Sequence, residues 1–239
     1  MTPRVGLLGG TFDPIHMGHL DLGEAAQQGL GLDCVICLPA NVPPHRPAPM
    51  ASAFHRFAMT AIAIAGRDGW QASDLELLDP SFSFTATTLQ RFHAQGYDPS
   101  QLFFVIGADA FADIASWRNY PSLLDLAHFA VVSRPGHPVF ALRERLSGLA
   151  PRMVDAADFP STRDARTGPV PPAGAGTAHS TVIILIDATT ADVSSTNIRS
   201  HLARQTPIDA MVTPGVLQHI DQHGLYRSPQ VDRHSAPGA

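Results

Sequence analysis

Two histidines three residues apart, in a loop flanked by glycines, are the first groups in this sequence able to act on a substrate. They belong to Gly9-Gly10-Thr11-Phe12-Asp13-Pro14-Ile15-His16-Met17-Gly18-His19, which follows the apolar run Val5 to Leu8 and opens a helix-period segment at Met17. A strand-to-helix loop of this kind gathers unpaired backbone N–H groups at a helix N-terminus, where negative charge is favoured. Gly9 and Gly10 let the backbone approach an anion closely, Thr11 adds a hydroxyl donor, and Gly18 removes a side chain where the helix start faces the ligand. The spacing of His16 and His19 puts both imidazoles on one side of a helical turn. Adjacent glycines also serve as ordinary turns, but the co-occurrence of these features in one loop predicts a phosphate site. Two histidines without a third ligand nearby make a poor zinc site, so no side chain is assigned to a metal. The glycines do not form G-x-G-x-x-G, which disfavours a dinucleotide fingerprint.

A second phosphate-binding pattern lies far downstream, in Val193-Ser194-Ser195-Thr196-Asn197-Ile198-Arg199. One hydroxyl there would cap a helix ahead of Ile198 and Leu202. Three in a row, with Arg199 on the first turn, suit a second grip, because a guanidinium can bridge two phosphate oxygens.

Two phosphate grips and two histidines suggest transfer of a nucleotidyl group. If the attacking group is a phosphate oxygen, it is already ionised near neutral pH, and no general base or covalent nucleophile is needed. The protein then has only to align the reactants and stabilise charge. His16, His19 and Arg199 are the catalytic candidates, aimed at the α-phosphate and the departing pyrophosphate. Mg²⁺ is expected with the triphosphate, held mainly by phosphate oxygens and water.

These groups need a scaffold that presents loops at one edge. Val5 to Leu8, Cys34 to Leu38, Leu102 to Ile106, Phe129 to Val132 and Val182 to Ile186 read as strands covered on both faces. Helix-period segments at Met17 to Leu30, Ala51 to Ala65, Thr85 to Ala94 and Phe140 to Leu149 alternate with them. The pattern predicts an α/β fold: a Rossmann-like, doubly wound parallel sheet with helices on both faces, a small C-terminal helical part, and ligands at the strands' carboxyl ends. Residues 1–226 are expected to form one domain, with a Pro/Ala/Gly-rich mobile insertion at about 151–180 and a disordered tail over 227–239.

Composition closes several alternatives. All 16 basic residues of the 239 are Arg, which excludes Schiff-base, P-loop and lysine-base mechanisms. The net charge of −5 argues against bulk nucleic acid as a partner. Cys34 and Cys37 read as buried strand residues rather than a redox pair. No run is long enough to span a membrane and the start shows no signal peptide, so a cytoplasmic protein without a membrane partner is expected, with a homo-oligomer left open.

The first loop resembles the H-x-G-H signature of the nucleotidylyltransferase superfamily, and Ser194-Ser-Thr-Asn-Ile-Arg199 resembles its second signature. Pro43-Pro44-His45-Arg46, Pro80-Ser-Phe-Ser-Phe-Thr85, Gly107-Ala-Asp109, Trp117, Ser133-Arg134-Pro-Gly136 and His223-Gly-Leu-Tyr226 narrow the likeness to bacterial nicotinate-nucleotide adenylyltransferases. That resemblance implies a reaction of ATP with nicotinate mononucleotide, giving deamido-NAD and pyrophosphate in NAD biosynthesis. It implies that Gly9, Gly10, Thr11, Phe12, His16, His19, Ser195, Thr196 and Arg199 meet ATP, with Gly107 and Asp109 near the adenosine. It places His45, Arg46, Thr85, Trp117 and Arg134 with the mononucleotide, Thr85 at the nicotinate carboxylate and Trp117 stacked on the pyridine ring. The chain departs from the family pattern at Arg46, where relatives frequently carry Lys, and at Phe84 and Thr87, where they often carry Tyr and Asp. The rival readings are another member of the superfamily, preference for nicotinamide mononucleotide or another phosphate acceptor, and a non-catalytic nucleotide sensor. Intact His16, His19 and Arg199 count against the sensor.

Overall fold

The computed structural model describes residues 3–43, 47–160 and 181–227. His45, Arg46, most of the stretch expected to be an insertion, and the tail beyond Arg227 lie outside the described residues. Among the described residues, seven parallel strands form one sheet in the order β3-β2-β1-β4-β5-β7-β6. They are β1 (Val5–Gly10), β2 (Cys34–Pro39), β3 (Trp70–Ala72), β4 (Leu102–Gly107), β5 (His128–Val132), β6 (Met153–Asp155) and β7 (Ile183–Ile186). The chain winds outward from β1 to β3, returns to β4 beside β1, and then winds the other way. The direction of winding therefore switches between β1 and β4, the position at whose carboxyl ends sheets of this kind bind ligands.

Alternation along the central strands builds a core on each face of the sheet. Leu8, Phe103, Val105, Ala130, Val132, Ile184 and Ile186 point to one face, covered by α1 (Met17–Leu30), α2 (Ala53–Ile64), α6 (Ser195–Ala203) and α7 (Pro214–His223). Leu7, Phe104, Ile106, Phe129, Val131, Ile183 and Leu185 point to the other, against α3 (Thr85–Ala94), α4 (Ala108–Phe111) and α5 (Leu142–Arg145). Each fully buried Leu, Ile or Phe contributes roughly 1.5–3 kcal/mol of transfer free energy. Cys34 and Cys37 are free thiols on β2; burial pushes Cys37 up to about 12, which keeps it protonated and inert.

Helix limits follow local chemistry. Gly31 ends α1 in the left-handed region at φ 60°, Ser52 caps α2 by accepting from the His55 N–H, and Ser194 caps α6 by accepting from the Asn197 N–H. Pro214 opens α7 and Gly224 closes it at φ 59°.

Two expectations need correction. The helix expected over Phe140 to Leu149 is only the four-residue α5 between 3₁₀ turns at Val139–Ala141 and Ser147–Arg152, because Leu146 leaves the helical region at φ −118°, ψ 53°. The expected set of five strands also lacks β3 and β6, which pair with β2 and with β7 (Met153 to Asp155) at the two edges of the sheet. No helix among the described residues is long and apolar enough to cross a membrane.

Candidate active site

The loop after β1 and the start of α6 meet although they are far apart in the chain. Ser195 Oγ donates to the Pro14 carbonyl at 2.9 Å, and Arg199 Nη1 donates to the Asp13 carbonyl at 2.6 Å. The two segments singled out in the sequence are thus brought together. Arg199 Nη2 reaches Thr196 Oγ1 at 3.3 Å, which sets the guanidinium and the hydroxyl side by side on the first turn of α6.

A second tie runs through α1. Asp21 accepts from the Ala191 N–H at 2.7 Å, and Arg134 donates to the carbonyls of Ala191 and Val193 at 3.5 and 3.0 Å. Gly18 permits this close crossing: a Cβ there would stand 2.5 Å from Arg134 Nη1 and 3.2 Å from the Ala191 carbonyl oxygen. Arg134 therefore lies beside His16 on the α1 face of the cleft.

His16 and His19 stack, with ring centroids 3.7 Å apart and planes 29° from parallel. His19 Nδ1 also accepts from the His16 backbone N–H at 3.3 Å. The His16 ring is 4% exposed, and its Nδ1 is buried without a hydrogen-bond partner in the protein. Burial, reinforced by the Arg134 charge, lowers its pKa to about 3, so the imidazole is neutral near neutral pH. A neutral ring offers one N–H donor and one acceptor.

Phe12 is buried and meets His19 edge-on, with centroids 4.9 Å apart. Its ring occupies the space above Gly10, where a Cβ would come within 2.6 Å of it. Its φ of 51° lies in the left-handed region, a strain of about 1–3 kcal/mol that the packing around it sustains. The Phe12 ring is therefore a packing element of the loop rather than a surface for a ligand. Gly9, Gly10 and Thr11 are partly exposed at the carboxyl end of β1.

Two residues given no role in the sequence reading hold this loop. The Asp13 carboxylate, 4% exposed, accepts from the Met50 N–H at 2.8 Å, the Ala51 N–H at 3.0 Å and the Tyr226 hydroxyl at 2.8 Å. Arg56, 1% exposed, donates through Nη1 to the carbonyls of Thr11 at 2.8 Å and Ala40 at 2.5 Å, joining the loops after β1 and β2. The available signal for Arg56 was its place among Met59, Thr60 and Ala63, the buried stripe of an apolar helix. Asp13 offered no such signal, because its donors come from distant segments.

The remaining predicted residues divide by face. Gly107 ends β4 beside β1; a Cβ on it would lie 2.5 Å from Asp109 Oδ1 and 3.0 Å from Arg134 Cγ, so these side chains flank the β4 terminus. Thr85 begins α3 and Trp117 packs edge-on to Phe104 at 6.2 Å, both on the face opposite the histidines. The segment leading to Thr85 is tied to the loop after β2 by Ser83 Oγ, which accepts from the Asn41 N–H at 2.9 Å. At the two departures, Phe84 carries Arg118 over its ring at 4.4 Å and Thr87 is partly exposed.

The donor set suits a metal–triphosphate better than a resident ion. The loop presents backbone N–H groups, imidazoles and guanidinium groups, whereas Mg²⁺ seeks hard oxygens in octahedral array. Among the described residues, the one group of three histidine, cysteine or carboxylate ligands lies elsewhere, on α2 and α7.

Known proteins resemble this chain in sequence and in fold. The family model described as cytidylyltransferase-like matches residues 7–201. A "Probable nicotinate-nucleotide adenylyltransferase" of Cronobacter sakazakii is 38% identical over 232 residues, covering 95% of this chain and 99% of that protein. One of the same description from Desulfatibacillum aliphaticivorans is 34% identical, covering 93% and 99%. Among solved structures, Plasmodium falciparum nicotinic acid mononucleotide adenylyltransferase complexed with APC superposes with a TM-score of 0.63 at 16% identity, over 94% of this chain and 97% of that one. The same enzyme complexed with NaAD gives 0.59 at 16% identity and the same coverage.

Proposed function

This chain belongs to the nicotinate-nucleotide adenylyltransferase family, and from that membership we propose how its own residues transfer the adenylyl group of ATP to nicotinate mononucleotide in NAD biosynthesis. The observation that carries the reading is the junction of Ser195 and Arg199 with the carbonyls of Pro14 and Asp13, which gives one triphosphate two grips.

In the reaction, a phosphate oxygen of the mononucleotide attacks the α-phosphorus of ATP. The bond from that phosphorus to the bridging oxygen breaks, and pyrophosphate leaves with the electron pair. The products are deamido-NAD and pyrophosphate. The nucleophile is already ionised, so the protein needs no base, and the neutral state of His16 suits this requirement. His16 and His19 act as hydrogen-bond donors to the oxygens that gain charge, while Arg199, Ser195 and Thr196 hold the departing phosphates. Gly9, Gly10, Thr11 and the main chain of Phe12 cradle the α-phosphate. Gly107 and Asp109 receive the adenosine at the end of β4.

The mononucleotide lies across the switch point, toward Thr85 and Trp117, with Arg134 at the boundary between the two substrates. His45 and Arg46, outside the described residues, are assigned to its phosphate by resemblance. Mg²⁺ enters on the ATP phosphates and water, where it neutralises charge on the β and γ groups. A cytoplasmic location agrees with the family's chemistry and with the lack of a membrane-crossing helix among the described residues.

The test is pyrophosphate release from ATP with nicotinate or nicotinamide mononucleotide, with and without Mg²⁺. Metal-dependent release that prefers the nicotinate form is expected. Preference for the amide form would reassign the acceptor, and ATP binding without turnover would make the chain a sensor.

A further inference from the structure

Away from the cleft, three imidazoles converge where α7 packs on α2. His219 and His223 are four residues apart on α7 and so share one helix face, and His55 comes from the first turn of α2. His55 Nδ1 and His219 Nε2 are 3.1 Å apart, and the ring of His223 lies 4.8 Å from that of His55 and 4.4 Å from that of His219. One ring nitrogen from each residue lies within 4.8 Å of the others. The approach of the helices is set by Gly215, where a Cβ would fall 2.6 Å from Ile62 Cγ2.

We propose that His55, His219 and His223 form a binding site for a borderline divalent transition-metal ion, specifically Zn²⁺, which staples α7 to α2. This departs from the expectation that no side chain holds a metal, and it stands apart from the adenylyl-transfer reading. Tetrahedral Zn²⁺ with Zn–N bonds of about 2.0–2.1 Å separates its ligand nitrogens by about 3.3–3.4 Å. His55 and His219 are already close to that spacing, and a rotamer adjustment brings in the exposed His223. Three neutral imidazoles suit Zn²⁺ rather than Mg²⁺ or Ca²⁺, and water completes the fourth position.

Each helix also delivers a residue to the loop after β1. Arg56, next to His55, holds the Thr11 and Ala40 carbonyls, and Tyr226, three residues beyond His223, donates to Asp13. An ion clamped between the helices therefore steadies both anchors of the phosphate loop without touching substrate.

Equilibrium dialysis of Zn²⁺ against the untagged, chelator-stripped full chain tests the site, with Co²⁺ visible absorption as a second readout of the ligand field. One equivalent is expected to bind and to raise Tm. His219→Ala should weaken binding by about 100-fold or more, since even loss of an outer-shell partner costs about 10–100-fold. The His16→Ala/His19→Ala double variant should keep the equivalent. Circular dichroism of the stripped variants checks folding, and His223→Gln, at an exposed position, carries the same expectation should His219→Ala fail to fold. Binding no tighter than that of a His55→Ala/His219→Ala/His223→Ala variant overturns the proposal. So does an equivalent lost with His16 and His19 but retained without His219 and His223.

Discussion

Arg199 donates a 2.6 Å hydrogen bond to the main-chain carbonyl of Asp13 across 186 positions of sequence, and its Nη1 lies 3.8 Å from an Asp13 carboxylate oxygen. One guanidinium edge thus fixes the loop that carries the histidines. The side chain proposed to grip phosphate also fixes the loop proposed as the opposing grip. Asp13 is the joint between them, and its buried carboxylate also accepts from the Tyr226 hydroxyl and from the Met50 and Ala51 N–H groups.

Tyr226→Phe removes that donor and leaves a buried carboxylate lone pair unpaired. Burial and the neighbouring Asp13 charge hold the phenol protonated, so its role is donation at every accessible pH. The variant should lose about 1–3 kcal/mol in urea unfolding. Unchanged stability would show that the bond contributes nothing.

His19→Ala should lower kcat by about 10²–10³, in line with loss of one donor that acts on transition-state charge. ATP affinity, measured by calorimetry with a non-hydrolysable analogue, should fall by far less. Equal losses in both would contradict the assigned role.

Gly18→Ala tests positioning rather than chemistry. Its methyl group would displace the end of the Arg134 side chain and press the Ala191 carbonyl back by a few tenths of an ångström. A displacement of about 1 Å costs about 10² in rate. The smaller shift here should lower steady-state kcat/KM by less, about 10-fold, with the overall circular dichroism spectrum retained.

Trp117→Ala should raise the KM for the mononucleotide and leave the KM for ATP nearly unchanged, because Trp117 stands on the face opposite the histidines. A selective ATP defect would move Trp117 to the other substrate.

Acid stability carries a signature of buried imidazoles. Burial, with help from Arg134, lowers His16 to about 3; burial, with help from Arg4, lowers His128 to about 4. Unfolded histidine titrates near 6.5, so below that pH the unfolded chain binds protons that the native chain refuses. Their contribution is complete above pH 6.5 and is lost as pH falls toward about 4 and about 3, at a slope of up to ~1.4 kcal/mol per unit for each. His128→Gln should flatten the slope of unfolding free energy between pH 4 and 6.5 by about one proton's worth. An unaltered slope would rule out His128 as a contributor.

What could be read from sequence follows from where the signals sit. The strands β1, β2, β4, β5 and β7 are continuous apolar runs because both faces are covered, and the two phosphate patterns announce themselves by residue type. The edge strands β3 and β6 have only three residues each, too few to show a period, and are defined by their neighbours. Asp13 and the histidine cluster were illegible for a related reason. Their meaning depends on partners such as Met50, Tyr226 and His219, which only the fold brings near.

The bond between Asp13 and Tyr226 joins groups 213 positions apart, so the loop after β1 is completed by a residue just past the end of α7. During synthesis the loop leaves the ribosome long before the phenol that answers it. A prematurely terminated product therefore carries both histidines and lacks a donor that seats them. Domain boundaries drawn for expression should extend past position 226, and a tag fused near that end should be judged by its effect on the first twenty residues.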